Sequence, residues 1–275
     1  MTLFPRSAAR LIAVALAAPL AFAATPASAG IGDLLVAPTR IILNGSRGTQ
    51  IILNNIGDDV ATYRVSLELR RMTADGSLSD VTTPTAAEKA AEDMILYAPR
   101  KITLPPNQPQ TINIAARAPA GLADGEYRVH LLFRAIPTPR PVTARQSDAK
   151  GISFSLTPVY GVTIPVIVRL GNLQAKAGIA NVHLAKEGGK ATVAMDLTRS
   201  GSRSTFGEVR VLKAGIKDPI AIQRGLAVYT EVGQRSVSIP LGAKASLASG
   251  PVTVQYVETT EGGPEVIAET SAFLR

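Results

Sequence analysis

The residues from Gly151 to Leu170, GISFSLTPVYGVTIPVIVRL, constrain this chain more than any other stretch. Every even position from 152 to 168 is apolar or aromatic: Ile152, Phe154, Leu156, Pro158, Tyr160, Val162, Ile164, Val166 and Val168. The odd positions begin polar, with Ser153, Ser155 and Thr157, and become mixed further on. Successive side chains on a strand point to opposite faces, so the stretch reads as one long strand with a continuous apolar face. At about 3.3 Å per residue it would run to roughly 60 Å, well beyond an ordinary strand of about 10 residues. A small domain has no core that long. The strand must either bend between two sheets or keep part of its apolar face for something outside the chain.

The rest of the sequence supplies more short strands. LLVAPTRIILNG (34–45) is an extended run in which Pro38 marks an edge or a bend, and it ends in the turn pair Asn44-Gly45. VATYRVSLELRRM (60–72) alternates, with Tyr63, Val65, Leu67 and Leu69 on one face. TAAEKAAED (85–93) is the one helix-like stretch. Residues 96–104, 110–117 and 125–136 read as three more strands, and 138–150 as an aperiodic loop into the long strand. Gly171-Asn172 closes that strand and marks a domain boundary. Beyond it, seven strand candidates follow between residues 179 and 273, several of them separated by Gly- and Ser-rich clusters. This pattern on both sides of residue 171 predicts an all-β chain of two tandem immunoglobulin-like β-sandwich domains, spanning residues 30–170 and 171–275.

Residues 1–29 read as a secretory signal peptide. Arg6 and Arg10 precede an apolar segment from Leu11 to Ala24, and Ala27-Ser28-Ala29 forms a cleavage box. No later segment has the 18 or so apolar residues of a membrane helix, so an exported protein without membrane insertion is expected. Cleavage would lower the formal charge from +8 to +6. With no Lys/Arg run and no stacking aromatics, that excess reads as an ordinary basic surface and not as a nucleic-acid site. There is no cysteine, so the cores take nothing from disulfides; with no tryptophan and few other aromatics, Val, Ile, Leu and Ala must fill them.

Catalytic patterns are absent. There is no G-x-S-x-G elbow, phosphate loop or dinucleotide fingerprint. The two histidines, His130 and His183, lie in predicted strands away from any metal-type cluster and read as ordinary strand residues. Asp58-Asp59 and Glu258–Glu261 are acids in turns. The expectation is a non-enzyme with no cofactor and no metal.

Four segments together resemble the PapD-like periplasmic chaperones of the chaperone–usher pathway. They are VAPTRIILNG with QIILNN (36–45 and 50–55), ITLPPNQPQTINI (102–114), GEYRVHLLFRAIP (125–137), and the long alternating strand ending in Arg169. They come in the family's order and cover nearly all of the first domain. The resemblance implies two immunoglobulin-like domains in an L or boomerang arrangement. It also implies a periplasmic role in pilus assembly, fimbrium biogenesis and cell wall organization: binding a pilus or fimbrial subunit by donor-strand complementation and delivering it to an outer-membrane usher. On that reading Ile152, Phe154, Leu156, Pro158 and Tyr160 form the donor strand. Arg40 is the anchor for the subunit's terminal carboxylate, and Glu126 and Arg169 are an interdomain ion pair that Glu258 or Glu261 could join. Arg40 also draws notice unaided: it interrupts an apolar run on the parity of Val36 and Ile42, and its planar fork suits a carboxylate. The sequence departs from the family at Pro165, where a cleft lysine is expected. Arg40 then acts alone, or with Arg100 or Lys101. The competing expectation is an exported structural or adhesin-like tandem sandwich of a surface appendage; residues 30–33 are a short tail for a subunit's donor segment.

Overall fold

A computed structural model describes residues 34–45, 47–137, 158–260 and 262–275. The signal-like segment, most of the 138–150 loop, and Ile152, Phe154 and Leu156 lie outside the described residues.

Strand β1 (Leu34–Ala37) and strand β2 (Ile41–Asn44) come from the single extended run read above, broken by a bend at 38–40. Pro38 has no N–H to give a ladder, so the run leaves one sheet there and enters the other. The order continues with β3 (Thr49–Asn55), β4 (Ala61–Glu68), β5 (Arg70–Met72), β6 (Leu78–Asp80), helix α1 (Ala86–Asp93), β7 (Ile95–Ala98), β8 (Lys101–Leu104), β9 (Pro109–Ala116), β10 (Gly125–Ile136) and β11 (Gly161–Leu170). Residues 96–104, expected as one strand, are two: Pro99 and Arg100 carry the chain from one sheet to the other. The two sheets run β1-β3-β9-β7 and β2-β11-β10-β4-β8, with β5 and β6 as a separate hairpin. Between them lies a core that takes Ile51 and Leu53 from β3, Tyr63 and Val65 from β4, Leu131 and Phe133 from β10, and Ile164, Val166 and Val168 from β11. The alternation of the sequence therefore survives in β10 and β11 as one buried and one outward parity. Helix α1 starts at a capping box in which Thr85 and Glu88 satisfy each other's backbone N–H, and it buries Ala91.

The second sandwich comprises β12 (Ala175–Glu187), β13 (Lys190–Gly201), β14 (Thr205–Leu212), β15 (Ala221–Val228), β16 (Gln234–Pro240), β17 (Gly250–Thr260) and β18 (Gly263–Leu274). Its sheets run β12-β13-β16 and β15-β14-β17-β18, around a core of Val193, Leu197, Val211, Ile239, Val254 and Tyr256. Each of the seven strand candidates read from the sequence beyond residue 171 falls in one of these strands. Gly171 sits between the sandwiches at φ +80°, and a Cβ there would lie 2.1 Å from an Asp124 carboxylate oxygen. Any other residue would be strained in conformation and in contact.

The sandwiches touch through a small apolar cluster of Met72, Ile167, Ala227 and Tyr229, with Phe206 and Val232 beside it. The β5–β6 turn adds polar contacts, with Ser236 N–H donating to Ala74 C=O at 2.8 Å and Met72 N–H to Glu231 at 2.7 Å.

Candidate functional site: the interdomain cleft and the open strand edge

The outward parity of β10 places Glu126, Arg128 and His130 on the sheet face turned away from the first core. Cross-strand pairing sets Arg169 opposite Glu126, Ile167 opposite Arg128 and Pro165 opposite His130. The second sandwich packs on this face. Arg128 donates to Glu231, with its second contact at 3.1 Å, and its guanidinium lies 3.6 Å from the Tyr229 ring centre. Arg169 Nε donates to Glu126 Oε2 at 3.0 Å, and the same oxygen accepts the Ser204 N–H at 3.1 Å. The Glu126–Arg169 pair thus lies between two strands of the first sandwich and holds the second through one backbone bond. Glu126 is almost fully buried, at 1% exposure. Glu258 pairs instead with Arg203 at 3.0 Å, next to Ser204, so it lies one residue away from this network. Glu261 lies outside the described residues.

Arg40 differs from its neighbours. Arg169, Arg128 and Arg203 each have a carboxylate. Arg199 and Arg235 give N–H groups to backbone carbonyls. Among the described residues Arg40 has no carboxylate within ion-pair distance and one hydrogen bond, from Nη2 to Ser204 Oγ at 3.2 Å. Its Nε and Nη1 are buried without a hydrogen-bond partner. The guanidinium lies 4.4 Å from the Phe206 ring centre and 5.6 Å from that of Tyr229. Burial lowers its pKa from the ordinary value, and Tyr229 and Glu126 only partly oppose that. A guanidinium stays charged in any case, so the cleft holds a desolvated cation with two unused donor nitrogens. An anion with two oxygens fits that deficit.

The sequence argument for Arg40 from strand parity does not hold. The bend at 38–40 resets the alternation, so that Ile41 and Leu43 are buried and Ile42 is exposed. Arg40 reaches the cleft because it ends the bend. Arg100 and Lys101 are not its partners. Lys101 begins β8, the far edge of a five-strand sheet whose other edge is β2, and Arg100 stacks on Tyr97 at 5.1 Å. At about 4.8 Å per strand, four spacings separate the two edges.

The long strand is shorter than its alternation suggested: β11 starts at Gly161. One further rung joins it to β10, from Ala135 N–H to Tyr160 C=O at 2.9 Å. Pro158, Val159 and Tyr160 are exposed, Tyr160 by 54%. On its other side β11 pairs with β2 through residues 166–169 only, in parallel. The edge along residues 161–165 therefore has no strand beside it among the described residues, and this empty lane ends where β2 begins, at Arg40. Sequence reasoning missed Ser204, Phe206, Tyr229 and Glu231, the second-sandwich side of the cleft. They are ordinary strand and turn residues until the fold brings them opposite Arg40 and Arg128.

No family model matches the chain, and no curated protein matches it. Among solved structures the chain is similar to the YadV chaperone at 14% identity, covering 88% of this chain and 100% of that one with a TM-score of 0.43. It is similar to the E. coli chaperone DraB at 15% identity, with coverage of 90% and 98% and a TM-score of 0.43. It is also similar to the CsuC–CsuE chaperone–tip adhesion subunit pre-assembly complex from archaic chaperone–usher Csu pili of Acinetobacter baumannii, at 11% identity, 88% and 97% coverage and a TM-score of 0.45. At such identities and TM-scores this likeness adds no weight to fold or function: the fold rests on the strand order above, and the cleft is judged by its own chemistry.

Proposed function

We propose that this chain is a periplasmic chaperone that binds a pilus or fimbrial subunit through the open edge of β11 and passes it to an outer-membrane usher. The observation that carries the reading is the collinearity of an empty strand lane with a buried, acid-free arginine. A strand laid beside residues 161–165 continues the line of β2 backwards. If it runs parallel to β11, as β2 does, its C-terminus abuts Arg40. An antiparallel strand would bring an ammonium to the same guanidinium. Charge therefore selects the parallel strand ending in a carboxylate.

The lane supplies backbone hydrogen bonds that are indifferent to the client's sequence, while the alternating side chains of the donor segment supply selectivity. Tyr160 and Pro158 belong to that segment, and Ile152, Phe154 and Leu156 extend it. A client that lacks a strand exposes both apolar surface and unpaired backbone, and this lane covers both. Glu126, Arg169, Arg128 and Glu231 tie the two sandwiches together on the cleft side and so fix Arg40 relative to the edge.

The test is co-expression of the chain with a subunit encoded beside it, comparing wild type with Arg40→Ala. Recovery of soluble subunit is expected to fall sharply while the melting temperature of the free variant stays close to wild type. Undiminished recovery removes Arg40 from the site.

A further inference from the structure

His130 is 1% exposed, and neither of its ring nitrogens has a hydrogen-bond partner. A buried imidazole usually satisfies at least one nitrogen, so this one needs an explanation. The register places it. Ile41 pairs with Val166, so Arg40 comes level with Pro165, which pairs with His130, which in turn pairs with Glu68 of β4. Arg40 and His130 are thus two strands apart, about 10 Å between backbones, on the cleft face of one sheet. Both side chains carry unused nitrogens: Nε and Nη1 on Arg40, Nδ1 and Nε2 on His130.

We propose that His130 is the second donor to the carboxylate that Arg40 takes, and that anion binding at this pair is coupled to proton uptake by His130. The proposal deepens the chaperone reading and rests on its carboxylate anchor. Pro165, directly across from His130, has no polar group to offer, so the imidazole is the nearest side chain across the sheet that can give an N–H.

The groups that face His130 set the direction of the coupling. Arg128 shares its strand, Arg70 comes from β5 and Arg40 from the bend before β2; all three are cationic. Glu68, the carboxylate opposite on β4, is tied to Arg70 at 2.9 Å. From the second sandwich, Glu231 is engaged by Arg128 and Tyr229 lies under it. Burial first, then these three cations, hold the His130 pKa down to about 3. The empty cleft therefore has a neutral imidazole at any pH where the protein functions. A carboxylate between Arg40 and His130 cancels part of that positive field and accepts from the ring, so the pKa rises in the complex. A group whose pKa is higher in the bound state strengthens binding as pH falls through that bound value.

Two-dimensional NMR of ring nitrogens in histidine-labelled protein tests this directly, because His183 is the only other histidine and is exposed on β12. Acetate serves as the probe, with chloride and acetamide as controls at matched ionic strength or concentration. Acetate alone is expected to raise the His130 midpoint by about 1–3 units while His183 stays put. Arg40→Gln is expected to abolish the response. An acetate effect confined to the Arg40 Nε–H resonance overturns the proposal and leaves the carboxylate anchor standing. An equal effect of chloride overturns it as well, since screening alone then accounts for the shift. No movement of either residue in folded wild-type protein also overturns it, while the co-expression test of Arg40 still decides the anchor on its own.

Discussion

At the scale of single residues the cleft is a problem of unpaired charge. Arg40→Ala removes charge-assisted hydrogen bonds to a bound carboxylate, worth roughly 1.5–3 kcal/mol, and so is expected to weaken client binding by one to two powers of ten. The free protein should be little affected, because Arg40 has one neutral hydrogen bond to lose. Its melting curve, recorded without client, checks this; a steep drop would make Arg40 a structural residue. His130 makes a separate prediction about acid stability. Its pKa of about 3 in the folded chain lies below the ordinary value of 6.5. Between those values the unfolded chain binds more protons, so stability falls as pH drops from about 6.5 towards 3. At about 1.4 kcal/mol per unit the loss amounts to a few kcal/mol. His130→Gln, which does not titrate, should flatten that acid limb in chemical denaturation at stepped pH; an unchanged limb would assign the acid loss to other groups.

At the scale of elements the sequence was informative where one face meets one core. The alternation of residues 125–136 and 162–168 became β10 and β11, and the helix at residues 85–93 was visible through Thr85 and Glu88. Alternation failed at the two sheet switches. Residues 34–45 and 95–104 carry a continuous apolar pattern because each half faces the same core from opposite sheets, and only Pro38 and Pro99 mark the break. Arg40 was therefore noticed for the right chemistry and placed by the wrong parity. The β11 edge gives the prediction at this scale. Val166 is completely buried, whereas Tyr160 is 54% exposed. Val166→Asp forces a charge into the core and should cost several kcal/mol, enough to unfold much of the population. Tyr160→Asp should change stability by no more than about 0.5 kcal/mol while impairing client recovery. Urea denaturation of both variants, with no client present, separates the cases; equal destabilisation would put residue 160 in the chain's own core.

At the scale of the whole molecule the two sandwiches act as one clamp only if their junction holds. Glu231 is central to it, accepting from Arg128 of β10 and from the Met72 N–H. Glu231→Ala leaves the Arg128 guanidinium, 8% exposed, without its carboxylate. Calorimetry is expected to show the two sandwiches melting further apart than in wild type, with client binding weakened although no client-facing group has changed. Coincident melting would mean that the apolar cluster around Tyr229 holds the junction by itself. None of this junction was legible in the sequence, because its partners lie up to 164 positions apart and carry no local signature. The central claim is that a client strand lies parallel to β11 with its terminal carboxylate at Arg40. Site-specific photocrosslinking from Thr163, on the open edge, tests it most directly when the crosslinked peptide is sequenced. The predicted product joins Thr163 to the last strand of an exported β-rich subunit, a few residues before its C-terminus. The same probe at Ile222, exposed on the second sandwich, should give none. Crosslinks from Thr163 to internal or N-terminal segments of a client, or equal crosslinking from Ile222, would contradict the account.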